Sequence, residues 1–283
     1  MSHSKSARRV FILGNPEKGS VALTLADLKE FAAARCELVG AELGLDARKA
    51  IETGAEMVVV LGGDGTFLGV ARSLETHAIP LIGVNLGRLG FLANFSLEEL
   101  KAHFTQTIDD PSLIETRIRL DVNVYRKEEL RFTNRALNDC VIQAGPPFRR
   151  IELSVFLDGE KLTDIGGDGV IVCTPTGSTA HNLSAGGPIV QASVHAIVLT
   201  PLCPHSLTHK PLVVEYNSRI EIVAKAVNQG SMAIIDGQVA CPLQADDRTV
   251  ITRSPVPLRL VRNPLYPNWS KLITKFGWGQ LPE

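Results

Sequence analysis

The hydrophobic pattern of this chain changes its period near residue 114, and this change constrains the fold more than any other feature. Before it, apolar runs such as Met57–Leu61 alternate with segments in which apolar residues recur at helical spacing. One such segment, from Leu25 to Val39, predicts a single helix. The sequence "SLEE" at Ser96–Glu99 predicts another helix, which begins with a capping box. Strands and helices in alternation indicate a parallel sheet with right-handed crossover connections.

After residue 114, apolar and polar residues alternate with a period of two, as in strands with one solvated face. The segments Ile118–Val124 and Ile151–Leu157 show this pattern, and the second ends at Asp158-Gly159, a hairpin signal. Many short strands separated by turn residues indicate a β-sandwich. The predicted domains are an α/β Rossmann-like domain over residues 1–113, a β-sandwich over 114–265, and a C-terminal segment, 266–283, that packs back on the first domain.

Composition excludes several classes of protein. The 283 residues include 29 basic and 30 acidic side chains, so no excess of positive charge favours a nucleic-acid partner. The apolar runs are far shorter than the roughly 18 residues of a membrane span, and the short N-terminal run predicts a first strand and not a signal peptide. Five scattered cysteines without C-x-x-C spacing predict reduced thiols in a cytoplasmic protein, and no residue pattern predicts a structural metal site.

The segment "GGDGT", Gly62–Thr66, follows an apolar strand at the edge where open α/β sheets bind ligands. Its glycines allow close backbone approach, and the N–H groups at the start of a helix can hold phosphate oxygens. The carboxylate of Asp64 can then accept the proton of an attacking hydroxyl or help hold Mg²⁺ on the phosphates. Both roles belong to phosphoryl transfer to an alcohol, whereas the alternative is a purely structural turn. The predicted phosphate-loop residues are Gly62, Gly63, Gly65 and Thr66.

Four further segments carry polar or glycine-rich signals. The stretch Cys173–Pro188 is dense in hydroxyls and suits a ribose and phosphates, unless it is an ordinary surface loop. The pair Asn138-Asp139 interrupts an apolar strand and could bind an adenine edge or ribose hydroxyls, unless it forms a bulge or turn. A second glycine-rich turn, Gly83–Leu92, follows the next buried strand at the same sheet edge. Alternatively, this segment is a plain strand-to-helix connection with Phe91 in the core. Asp236-Gly237 predicts a type I′ hairpin turn.

These segments, in this order and spanning residues 62–238, resemble the NAD kinase family. "GGDGT" alone also occurs in lipid kinases and phosphofructokinases, whereas its combination with "TPTGSTA" and "SAGGP" is specific. The resemblance implies the reaction of ATP with NAD to give ADP and NADP, with Mg²⁺ or another divalent ion. It also implies a Rossmann-like domain, an NAD-binding β-sandwich and a homodimer or homotetramer.

The resemblance further implies site residues. Asp64 matches the proton acceptor that acts on the 2′-hydroxyl of the adenosine ribose. Three positions depart from the family pattern, because Asp139 replaces Glu, His181 replaces Tyr and Gly166 replaces a residue that is often basic. The residues that match dinucleotide-binding positions are Asp64, Gly65, Phe91, Asn138, Asp139, Arg149, Asp168, Thr179, Ala180, His181, Asn182, Leu183, Ser184 and Gln238.

The sequence also leaves other functions open. A lipid or sugar kinase could use the same acidic glycine turn, and a non-catalytic module could bind the dinucleotide without reaction. A dehydrogenase is disfavoured because "GNPEKG" lacks the G-x-G-x-x-G spacing. The sequence also leaves the phosphoryl donor open, since polyphosphate or another nucleotide can present a terminal phosphate.

Overall fold

The chain, described from a computed structural model over residues 8–87, 90–266 and 273, divides into two compact units. The first unit takes the described residues up to 116 and from 259 onward, and the second takes residues 117–258. No helix in the described ranges is long and apolar enough to cross a membrane. The C-terminal segment 266–283, which is predicted to pack back on the first domain, lies outside the described residues except for positions 266 and 273.

Helices and strands are numbered in chain order over the described ranges. The helices are α1 (Val21–Ala33), α2 (Arg48–Glu52), α3 (Asp64–Ser73), α4 (Leu97–Ala102), α5 (Phe104–Asp109) and α6 (His181–Ser184). The strands are β1 (Arg9–Gly14), β2 (Glu37–Leu43), β3 (Met57–Leu61), β4 (Leu81–Val84), β5 (Ala93–Phe95), β6 (Ile114–Arg117), β7 (Leu120–Arg126), β8 (Glu129–Ala136), β9 (Asp139–Gln143), β10 (Ile151–Leu157), β11 (Glu160–Gly167), β12 (Gly169–Cys173), β13 (Ala196–Leu202), β14 (Leu212–Glu215), β15 (Ile220–Ala226), β16 (Met232–Ile235), β17 (Val239–Pro242), β18 (Arg248–Arg253) and β19 (Leu258–Val261).

The first unit is built on a sheet with the strand order β2-β1-β3-β4-β19-β6, and β5 pairs with β4. The pairs β1–β2, β1–β3, β3–β4 and β4–β19 are parallel, which confirms the predicted Rossmann-like parallel sheet. Every residue of β3 is buried, as the continuous apolar run predicts. Gly14 aligns with Leu61, and Leu61 aligns with Val84. The loops that follow β1, β3 and β4 therefore leave the sheet at the same edge.

The helix predicted from Leu25 to Val39 is shorter than expected. Helix α1 ends at Ala33, and β2 begins at Glu37. Helical spacing continues by coincidence into an edge strand, whose pairing with β1 decides its conformation. The capping box is confirmed, because Ser96 Oγ accepts from the N–H of Glu99 and Glu99 Oε2 accepts from the N–H of Ser96.

The second unit consists of two antiparallel sheets with the orders β11-β10-β15-β18-β7-β8 and β14-β13-β12-β9-β16-β17. Their facing sides share one apolar core, to which Val122 and Leu153 contribute from the first sheet and Ile142 and Val172 from the second. The predicted β-sandwich is therefore confirmed. A smaller apolar cluster, which includes Val141, lies on the other side of the second sheet.

The pair Asn138-Asp139 does not interrupt a single strand, contrary to the prediction. Strand β8 ends at Ala136 in one sheet, and β9 begins at Asp139 in the other. The chain thus crosses from sheet to sheet at Leu137 and Asn138. A crossing leaves backbone N–H groups without ladder partners, so polar groups must satisfy them there.

Candidate active site

The glycine turn of the first unit joins β3 to α3 and is tied to the loop that follows β1. Gly63 is the N-cap of α3, in extended conformation, and Asp64 is the first helical residue. A Cβ on Gly62 would lie 2.4 Å from Thr66 Oγ1, so only glycine fits there. Thr66 Oγ1 in turn accepts a hydrogen bond from Asn15 Nδ2 at 3.0 Å.

The carboxylate of Asp64 is half-buried and held by three backbone N–H groups. Its Oδ2 accepts from Phe91 at 2.9 Å, and its Oδ1 accepts from Leu92 at 3.1 Å and Ala93 at 2.9 Å. A Cβ on Gly90 would lie 1.8 Å from Asp64 Oδ1, so glycine permits this approach. Residues 90–93, at the end of the second glycine-rich turn, therefore lie against the carboxylate. The sequence places both turns at one sheet edge but does not reveal this contact.

The geometry leaves Asp64 one acceptor position for a ligand. An ionised carboxylate has about four lone-pair sites, and the three amides occupy two on Oδ1 and one on Oδ2. The remaining site is on Oδ2. The amides also fix the orientation of the carboxylate, which is the condition for a group that acts on a hydroxyl in a defined direction. Phe91, one of the predicted dinucleotide-binding residues, is half-buried and contributes its N–H to this arrangement.

The second unit contains a cavity of about 380 Å³ beside β9 and β16. Four predicted binding residues line it, and the sequence analysis missed three others. Two of the missed residues carry a signal, since Val141 and Gln143 follow Asp139 with the period of two that places them on one face of β9. The predicted lining residues are Asn138, Asp139, Ala180 and His181, and the missed ones are Val141, Gln143 and Ile234.

Asp139 is 3% exposed and lines this cavity. Burial, together with the nearby carboxylate of Asp236, raises the pKa of Asp139 from its ordinary value of 3.8 to about 7. In the described part of the chain its carboxyl group accepts no hydrogen bond. A buried carboxyl group without a partner is costly, and a ligand with hydroxyl donors would satisfy it.

Asp236 organises the wall of the cavity. It occupies the hairpin turn between β16 and β17, where Asp236 has φ 50° and Gly237 has φ 65°, as the type I′ signal predicts. Its carboxylate accepts hydrogen bonds from the N–H groups of Leu137 at 3.0 Å, Asn138 at 2.7 Å and Asp139 at 3.1 Å. The turn residue thereby satisfies the backbone at the sheet crossing, a role that the sequence analysis missed.

The hydroxyl-rich segment after β12 packs on the second sheet through Ala185 and Val190 and is not an ordinary surface loop. Asn182 is fully buried within it. Its Nδ2 donates to the carbonyls of Ser178 and Pro188, both at 3.1 Å, and its Oδ1 accepts from Thr200 Oγ1 at 2.6 Å. The side chain of Asn182 therefore positions the loop, because both amide protons are used internally.

The remaining predicted residues of the second unit lie outside the lining of this cavity as far as the described residues define it. Arg149 and Asp168 are exposed. At the third departure, Gly166, a Cβ would lie 2.7 Å from Arg150 Nε, so the guanidinium of Arg150 occupies the space above the glycine. Other predicted residues outside the lining are Thr179, Leu183, Ser184 and Gln238.

Comparisons with known proteins agree on one family. The model of the ATP-NAD kinase N-terminal domain matches residues 16–111, and that of the ATP-NAD kinase C-terminal domain matches residues 137–263. An NAD kinase of Rhodopirellula baltica is 35% identical over 270 residues, covering 95% of this chain and 86% of the relative. An NAD kinase of Syntrophobacter fumaroxidans is 43% identical over 225 residues, covering 80% of each chain.

Solved structures give the same result. The yeast NADH kinase complexed with NADH is 26% identical, with a TM-score of 0.82 over 99% of this chain and 90% of that one. An NAD kinase from Archaeoglobus fulgidus in complex with ATP is also 26% identical, with a TM-score of 0.74 over 95% of this chain and 97% of that one. These matches favour NAD kinase function over a lipid kinase, a sugar kinase or a non-catalytic module. The chain belongs to the NAD kinase family.

Proposed function

We propose that this chain transfers the γ-phosphoryl group of ATP to the 2′-hydroxyl of the adenosine ribose of NAD, giving ADP and NADP. The observation that carries the proposal is the carboxylate of Asp64, which three amides fix at the start of α3 with one acceptor site left on Oδ2. That site accepts the hydroxyl proton as the ribose oxygen attacks phosphorus. A positioned general base of this kind contributes about 10²–10⁴-fold in rate.

The glycine turn binds phosphate through backbone groups. The free N–H groups of a helix start carry partial positive charge, and Gly62, Gly63 and Gly65 let phosphate oxygens approach them. Thr66 holds the turn in place through Asn15. The turn therefore carries the anion while the adjacent carboxylate serves the alcohol, which explains why an acid stands beside a phosphate site.

The cavity beside β9 is proposed to hold the adenosine part of NAD. Asp139 and Asn138 present a carboxyl and an amide there, and ribose hydroxyls or the adenine amino group can donate to them. Asp139 is one methylene shorter than the glutamate common in the family. Asp139 still presents its carboxyl group to the cavity, because Asp236 accepts from the N–H of Asp139 and fixes this backbone at the cavity wall. His181 and Ala180 close the same cavity from the loop after β12.

A divalent cation, most simply Mg²⁺, is part of this proposal as a companion of the donor phosphates. Within the described residues no group of three or more His, Cys, Asp or Glu side chains could hold a metal ion alone. Mg²⁺ typically binds through nucleotide phosphates, waters and one or two carboxylates, so the site fits an ion that arrives with ATP. The ion neutralises phosphate charge, and the carboxylate of Asp64 lies within the phosphate turn itself.

Two further proposals concern the setting of the enzyme. The described cysteines are all free, which suits the reducing cytoplasm.

Edge strand β14 exposes Leu212 and Val213, which supports self-association as a homodimer or homotetramer. Size-exclusion chromatography with light scattering should give a mass of two or four chains, and a monomer at micromolar concentration would contradict this proposal.

A panel of donors and acceptors tests the reaction. Purified protein with Mg²⁺ and ATP should form NADP from NAD, scored by a dehydrogenase specific for NADP. Diacylglycerol, sphingosine or fructose phosphate should not be phosphorylated, and polyphosphate or other nucleotides define the donor range. ATP-dependent product from a lipid or sugar, with none from NAD, would overturn the proposal.

Asp64→Asn tests the base. The variant should lose about 10²–10⁴-fold in kcat while it still binds NAD in calorimetry. An amide has one acceptor oxygen, so Phe91 N–H loses its partner at a cost of about 1–3 kcal/mol in stability. Asp236→Asn removes an equivalent acceptor of three amides, and its unfolding free energy measures that structural loss separately. Undiminished turnover in Asp64→Asn would remove the base assignment.

A further inference from the structure

We infer that Lys18, in the loop between β1 and α1, binds the phosphates of the nucleotide donor at the glycine turn. The inference rests on the proposed function. A phosphate loop commonly carries its own lysine, whereas the only charged residue in the turn from Gly62 to Thr66 is an acid, Asp64. The structure supplies a cation to that turn from another segment of the first unit.

The position of the Lys18 side chain is the first observation. A Cβ built on Gly63 would lie 3.5 Å from Lys18 Nζ and 4.0 Å from Asn85 Nδ2. An ammonium group and an amide nitrogen therefore both approach the residue that caps α3. Because Gly63 has no side chain, nothing separates these nitrogens from the backbone of the turn.

The loop that carries Lys18 is fixed to the turn. Asn15 Nδ2 donates to Thr66 Oγ1 at 3.0 Å, and the N–H of Asn15 donates to the carbonyl of Leu61 at 3.1 Å. The N–H of Lys18 donates to the carbonyl of Asn15 at 3.3 Å, and the carbonyl of Lys18 accepts from Val21 at 2.9 Å. The backbone of Lys18 is thus held on both sides. The neighbouring parallel strands β1 and β3 place this loop beside the turn.

The charge of Lys18 also points to an anionic ligand. Lys18 is exposed, and in the described residues its ammonium group has no ion-pair partner. A lysine without a partner normally extends into water, because its solvation and rotamer entropy favour that. Here it approaches the glycine turn, whose backbone is proposed to bind phosphate. A triphosphate would bring several negative charges next to Asp64, and a cation at this point offsets the repulsion.

The donor and not NAD is the ligand that we assign to Lys18. Asn138 and Asp139, which are proposed to hold the adenosine part of NAD, belong to the second unit, whereas Lys18 lies in the first unit beside the turn that is proposed to bind the donor phosphates. Lys18 is therefore a phosphate-binding residue that affects the donor. Its loss should weaken ATP binding and leave NAD binding unchanged.

Calorimetry of ATP binding, in the presence of Mg²⁺, tests the inference on the full chain. Lys18→Met keeps the length of the side chain and removes its charge, and Kd for ATP should rise about tenfold or more, as the loss of a charge-assisted contact predicts. Lys18→Arg should recover most of the affinity. Lys29→Met removes another exposed lysine, on α1, and should leave Kd unchanged. In steady state, KM for ATP should rise and KM for NAD should not.

The outcomes separate this inference from the proposed function. Equal ATP affinity of Lys18→Met and the wild type would overturn the inference, and so would a rise confined to KM for NAD. If the wild type binds ATP but forms no NADP, the proposed function fails, and the calorimetric comparison still decides the role of Lys18.

Discussion

Replacement of Asp139 by Asn should stabilise the free protein at neutral and alkaline pH. Asp139 is 3% exposed, and burial with the nearby Asp236 raises its pKa from 3.8 to about 7. The native state therefore favours the protonated carboxyl group, whereas the unfolded chain ionises it near its ordinary pKa. Asn has the same size as the protonated acid and never ionises.

The size of the effect follows from linkage. A carboxyl group whose pKa is raised on folding gives stability that is complete below about pH 4 and is lost as the pH rises through about 7. Each pKa unit corresponds to about 1.36 kcal/mol, so ionisation of Asp139 costs the native state about 4 kcal/mol above pH 7. Between about pH 5 and pH 8, the wild type should lose roughly 3 kcal/mol relative to Asp139→Asn.

Urea unfolding followed by circular dichroism, at a series of pH values, measures this difference. The wild type and Asp139→Asn should converge in acid and separate in base, with the variant more stable. Glu160→Gln, which removes an exposed carboxylate from the same unit, should follow the wild type at every pH. Parallel curves for the wild type and Asp139→Asn would refute the reasoning, as would a variant that is less stable at pH 8.

Two other substitutions test the supports of the site. Gly90→Ala places a Cβ only 1.8 Å from Asp64 Oδ1. We expect the unfolding free energy, measured by heat or urea, to fall by about 1–3 kcal/mol and kcat to fall as well. Normal activity would show that the reaction does not need the three amides that hold Asp64. Asn182→Ala leaves the buried hydroxyl of Thr200 without its acceptor. This should lower the free energy of unfolding by about 1–3 kcal/mol and raise KM for NAD. Asn217→Ala, at an exposed site, should change neither quantity.

The sequence allowed the architecture to be predicted because periodicity reports burial directly. The continuous apolar run of β3 and the period of two in β10 both predict their elements. The edge strand β2 could not be predicted in this way. Its central residues are half-buried and its apolar residues continue the helical spacing of α1, so only pairing with β1 distinguishes the two conformations.

The site was predicted in part for a similar reason. Local motifs identify Asp64 and the hairpin turn at Asp236, but not that each carboxylate binds three amides from a segment distant in sequence. The approach of Lys18 to Gly63 likewise depends on the neighbourhood of β1 and β3. Asn182 likewise has a structural role in positioning its loop that becomes visible only through its hydrogen-bond partners.

The most direct test of the account is a crystal structure of the protein with NAD bound. We predict that the 2′-oxygen of the adenosine ribose lies within about 2.6–3.2 Å of Asp64 Oδ2, on the acceptor site that the three amides leave open. A ribose whose 2′-oxygen faces away from Asp64, or lies beyond reach of one bridging water, would contradict the account.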